Sequence, residues 1–164
     1  MKKLIWRLTL KLKRKSLVTQ IAIFYALSFL IVLSVMPLIL LSDSIIGENN
    51  NGPDIGLGIG SWIFAVLIVP IVETFLGQQL PFKLLQNWDL TKNKYGIYIL
   101  VSALIFGLFH YYSLQYILLA FSIGLILSYT YFFYSKSPKL AFGITALIHG
   151  LRNMMTFIII AFDT

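Results

Sequence analysis

No cysteine occurs in the 164 residues, which excludes disulfides, thiolate metal sites and a cysteine nucleophile. Acidic residues are scarce, six against 13 Lys and Arg, and charged residues of both signs make up only 12% of the chain. Hydrophobic residues reach 59% and the mean hydropathy is +0.86, far outside the range of ordinary globular domains. Such a chain belongs in a membrane. It has no internal repeat and no low-complexity tract, and the GLGIG at 56–60 lacks the preceding strand that a nucleotide loop requires.

Five apolar stretches, 17–41, 58–80, 95–112, 114–134 and 140–162, approach the roughly 20 residues that a membrane helix needs. They predict an all-α integral membrane bundle of about five transmembrane helices, with no room for a separate soluble domain. Residues 1–16 form a basic, amphipathic segment on the membrane surface, and 17–164 form the membrane domain. The first span is longer than the ~7–15 residue core of a signal peptide, and no small-x-small cleavage site follows it. Seven cations lie in the first fifteen residues. Beside an apolar segment such a run marks a cytoplasmic flank rather than a nucleic-acid arm. The connection 42–55 holds Asp43, Glu48 and Asp54 and no cation. With the N-terminus in the cytoplasm, twelve of the thirteen cations fall on cytoplasmic segments, as the positive-inside rule demands.

A few polar residues interrupt this pattern. Glu73 is the only acidic residue inside an apolar run, and a carboxylate there costs roughly 2.5 kcal/mol or more. His110 lies in FGLFH, and His149 with Asn153 in HGLRN. The i, i+4 spacing puts His149 and Asn153 on one face of a helix, as it does Phe106 with His110 and Thr74 with Gln78. Singly, each such group is accounted for as interhelical glue of about 0.6 kcal/mol. Together the four residues predict one intramembrane site.

The chemistry open to them is amide hydrolysis without a covalent intermediate. A desolvated carboxylate accepts a proton from water, and a neighbouring histidine orients that water or shares the proton. A second histidine and an asparagine amide donate to the oxyanion on a peptide carbonyl. Glu73, His110 and His149 are also a possible zinc set, but the HExxH spacing is absent, so the expectation is no metal and no other cofactor.

The order of these motifs, ETFLGQ, FGLFH, a glycine-containing span at 122–127, then HGLRN, resembles the CPBP family, the CAAX proteases and bacteriocin-processing enzymes also called Abi proteins. The resemblance covers about 58–162. Its pattern is EExxxR, FxxxH and HxxxN on successive membrane helices. It implies an intramembrane endopeptidase in which Glu73 and His110 activate water and His149 and Asn153 form the oxyanion site, open to the cytoplasm. The first motif departs from the pattern, with Thr74 and Gln78 in place of the second glutamate and the arginine. Losing both charges strands neither, and Thr74 with Gln78 retains a neutral version of their contact. Arg152, i+3 from His149, either supplies the charge lost at Gln78 or snorkels and pairs elsewhere.

The expected partners are therefore a peptide or protein substrate and membrane lipids, not nucleic acid, in a bacterial cell membrane. Two other functions fit the same residues: a non-catalytic membrane protein of bacteriocin immunity, or partner of another membrane protein, and a proton-coupled transport component. Equal-length spans leave one mismatch. Glu73 and His149 fall near mid-bilayer and His110 nearer the outer side, unless the chain is indented at 110–113.

Overall fold

The computed structural model describes residues 9–47 and 58–163, which are helices and short turns with no strand. After a helical turn at 9–13 come α1 (Leu17–Ile46), α2 (Ile59–Asn87), α3 (Tyr95–Leu108), α4 (Leu114–Phe133) and α5 (Pro138–Asp163). Of the surface segment expected at 1–16 and the acidic connection expected at 42–55, residues 1–8 and 48–55 lie outside the described residues; α1 continues to Ile46, past the span end expected at 41.

Four helices, α1, α2, α4 and α5, are long and apolar enough to cross a membrane; α3, with 14 residues, is not. At 1.5 Å per residue it extends about 21 Å, short of the roughly 30 Å hydrocarbon core. This corrects the third span expected at 95–112. The cause is Ser113, whose hydroxyl accepts a hydrogen bond from Tyr116 N–H at 3.1 Å and starts α4, so residues 109–112 turn instead of extending α3. His110 therefore sits on the turn between α3 and α4 rather than on a continuing helix.

α2 is one continuous helix with two wide turns, a π-helical stretch at Phe64–Ile68 and another at Phe75–Gln79. Each is followed by a proline, Pro70 and Pro81. A proline donates no N–H and its ring crowds the carbonyl four residues back, so widening the helix relieves the clash. In the first wide turn Val69 N–H bonds the Phe64 carbonyl. The next carbonyl, Ala65, would need Pro70 as donor and finds the Asn153 side-chain amide of α5 instead, at 2.8 Å. At the second, the Gly77 carbonyl accepts from Ser102 Oγ of α3, which also contacts Ser128 Oγ of α4 at 2.6 Å. In hydrocarbon a freed carbonyl needs such a partner. Pro70 therefore decides where α5 ties to α2, and α3 ties to it within the second wide turn.

Small residues set the other spacings. A Cβ on Gly124 of α4 would lie 3.1 Å from Ala103 Cα of α3, so those helices pack backbone to backbone, as close membrane pairs do. Phe24, Tyr98, Phe106, Leu127, Tyr131, Phe133, Tyr134 and Ile148 form the core. α1 is fastened to α4 by Tyr134 O–H donating to Gln20 Oε1 at 2.6 Å and by Phe24 packed edge-on against Phe133. Outward-facing Leu30, Leu33, Leu67, Leu100 and Leu104 meet lipid, where exposure of apolar side chains carries no cost.

Candidate active site

Glu73 lies on the α-helical segment between the two wide turns of α2, His110 on the turn after α3, and His149 near the middle of α5. The bundle brings all three together. Glu73 Oε1 is 3.8 Å from His110 Nε2, and Glu73 Oε2 is 3.4 Å from His149 Nε2. His149 is nearly closed off at 4% side-chain exposure; Glu73 and His110 retain 22% and 16%.

Hydrogen-bond partners fix the tautomer of His110. Its Nδ1 is 2.8 Å from the Phe106 carbonyl, which only accepts, so Nδ1 carries the hydrogen and Nε2 presents a lone pair toward Glu73. On His149 the acceptor is the carboxylate, so Nε2 is the nitrogen suited to carry hydrogen; Nδ1 is buried without a partner. Phe106 wedges between both imidazoles, 4.7 Å from the His110 ring and 5.3 Å from that of His149. The phenylalanine of FxxxH thus holds two histidines. It packs in turn on Gly77, where a Cβ would stand 3.4 Å from its ring.

The supporting residues fall into three places. Asn153 lines the cavity beside Glu73, but one amide hydrogen is committed to the Ala65 carbonyl, leaving the second for other work. Arg152 also lines that cavity, yet its guanidinium donates to the Ser28 carbonyl of α1 at 2.8 Å and covers the Phe29 ring at 4.6 Å. Its anchoring contacts are on α1. Thr74 and Gln78 are fully buried, and neither Thr74 Oγ1 nor the Gln78 amide has a hydrogen-bond partner. The neutral contact expected between them is not formed: the wide turn at Phe75–Gln79 begins right after Thr74 and alters the helical register. A buried amide left unpaired costs about 1–3 kcal/mol. Gln78→Met, of similar length, is expected to raise the unfolding temperature in detergent, and a fall would show that the amide is bonded in solution.

A cavity of about 370 Å³ extends from Glu73, His110 and His149. Phe64, Phe109, Tyr112, Leu119, Phe157 and Ile160 make its walls apolar. It runs along the halves of the helices farthest from the lysines. Two contributors escaped the sequence motifs. Tyr116 lies 5.6 Å, ring to ring, from His110, and no spacing marks it. Gly150 sits inside HGLRN, and a Cβ there would stand 2.6 Å from the Val66 carbonyl oxygen. An isolated glycine in a helical pattern signals such a close approach, though not its partner.

Among known families, the one described as type II CAAX prenyl endopeptidase Rce1-like matches residues 55–159. No curated protein and no solved structure matches the chain. The matched stretch takes in nearly all of α2 to α5, with the Ala65 and Gly77 carbonyls and Glu73, His110, His149 and Asn153, and leaves α1 outside. By fold, by motif order and by this match over well more than half its length, the chain belongs to the Rce1-like CAAX prenyl endopeptidase family, a membrane protease family within the CPBP group.

Proposed function

We propose that the protein is an intramembrane endopeptidase that hydrolyses a peptide bond with water, Glu73 and His110 activating the water and His149 and Asn153 stabilising the oxyanion. One observation carries this: two acceptors, Glu73 Oε1 and His110 Nε2, face each other at 3.8 Å. Two lone pairs at that distance repel unless a donor joins them. A single water satisfies both with its two hydrogens, and its own lone pairs then point away from the two side chains. Attack on the substrate carbonyl carbon transfers one proton to Glu73. As Glu73 takes up that proton it releases His149 Nε2–H, which together with the second Asn153 amide hydrogen donates to the oxyanion. When the C–N bond breaks, Glu73 returns the proton to the leaving amine. No covalent enzyme intermediate and no metal is needed.

The test is expression of the wild type and His110→Ala at equal membrane levels, with mass spectrometry of membrane and secreted peptides. Cleaved products are expected with the wild type and are expected to fall about 10²- to 10⁴-fold with the variant. Product yield should be insensitive to a zinc chelator. Loss with chelator that zinc restores would turn Glu73, His110 and His149 into ligands. An identical peptide set for both chains, with the host phenotype restored by each, would assign the protein a binding role.

A further inference from the structure

The direction of the cavity sets where its substrate comes from. α1 ends, α2 begins, α3 ends, α4 begins and α5 ends on one face of the bundle. On the opposite face lie Lys11, Lys13, Arg14 and Lys15 before α1, Lys83, Lys92 and Lys94 around the α2–α3 connection, and Lys136 and Lys139 between α4 and α5. The positive-inside rule makes that cation-bearing face cytoplasmic. Every residue lining the cavity lies at the middle of its helix or beyond it toward the other face: 64–73 of the 59–87 helix, 106–112 at the end of α3, 116–123 of the 114–133 helix, and 149–160 of the 138–163 helix.

Toward the cytoplasm the same helices are closed. Gln78, Tyr98, Leu127, Tyr131, Thr145 and Ile148 are all at most 1% exposed, and they fill the one or two turns below Glu73, Phe106 and His149. Glu73, at 22%, is therefore reached from the opposite side.

We infer that water and substrate reach the site from the extracytoplasmic face, so that the bond cut belongs to an apolar peptide segment in the outer half of the membrane. The nature of what enters rests on the endopeptidase reading; the direction of access does not. Apolar walls suit such a segment: beyond Glu73 itself, the one charged side chain lining them is Arg152, which α1 already engages.

The absence of native cysteine makes single thiols clean reporters. Thr156→Cys and Val69→Cys sit in the cavity wall, Tyr111→Cys on the exposed turn at the outer face, and Lys136→Cys at the cytoplasmic face. A charged, membrane-impermeant methanethiosulfonate reacts with thiolates in contact with water and not with thiols facing lipid. In intact cells Tyr111→Cys and at least one cavity position are expected to react from outside, and Lys136→Cys only after permeabilisation. The inference is overturned if both cavity positions need permeabilisation or react from neither side, or if Lys136→Cys labels from outside. Repeating the labelling with Glu73→Gln separates the two proposals. Outside labelling with no peptide product from any chain sinks the protease and leaves the access route. Products without outside labelling do the reverse.

Discussion

Glu73→Gln is expected to fold, to insert and to cleave nothing detectable. Glutamine keeps the shape and removes the base. A positioned general base contributes about 10²–10⁴-fold to rate, and in this site the same side chain also returns the proton, so the loss should reach the upper end of that range. Stability should move the other way or not at all. The carboxylate lies in an apolar cavity with no Lys or Arg salt-bridge partner among the described residues, only two imidazoles, and a desolvated charge destabilises the state that buries it. Product yield by mass spectrometry and unfolding temperature in detergent, measured on the same preparation, check both halves. Wild-type cleavage by Glu73→Gln would remove the carboxylate from the chemistry. A large fall in unfolding temperature would make it a structural residue.

Gly150→Ala is expected to be nearly as damaging to cleavage although it touches no reacting atom. The new Cβ would lie 2.6 Å from the Val66 carbonyl oxygen. That oxygen belongs to the helix backbone of α2, so it cannot swing aside as a flexible side chain would, and α5 must move away from α2. Overpacking of this kind costs about 1–3 kcal/mol. Asn153 would then lose the Ala65 carbonyl, and His149 would be carried away from Glu73. A misplacement of about 1 Å can cost roughly 10²-fold in rate, so cleavage should fall much further than stability. Gly143→Ala on the same helix is the control: that position is open, with nothing within 4 Å of a Cβ, and alanine is favoured over glycine in helices by roughly 0.5–1 kcal/mol. Equal activity for the two alanine variants would show that the contact at Val66 does not position the site.

Much of this protein can be read from its residues in order. The apolar runs suffice for five helices, because hydrocarbon rejects charge and unpaired backbone so strongly that length and composition decide. Glu73 and the two histidines stand out for the same reason. In a chain this apolar each polar side chain is costly, and three converging on one point is what a site looks like in sequence.

Other features depend on partners far away in the chain. Thr74 and Gln78, four residues apart, look like a pair, but the proline-driven wide turn separates their hydrogen-bonding groups. Arg152 looks available to the site, yet its contacts are the Ser28 carbonyl and the Phe29 ring, more than a hundred residues earlier. Ala65 carries no chemistry of its own, and its carbonyl becomes an anchor only because Pro70 cannot donate to it.

What the sequence by itself determined was the class of protein, the number of its helices, and which side chains form the polar cluster. These follow from local quantities: hydropathy over about twenty residues and 3.6-residue periodicity. Only the tertiary structure decided that α3 stops short, that Phe106 and Gly150 set the distances between the polar groups, and that the cavity is plugged toward the cation-bearing helix ends and runs along the other halves. Those depend on which backbone groups are left unpaired and on sub-ångström clearances between helices. Periodicity carries no information about either.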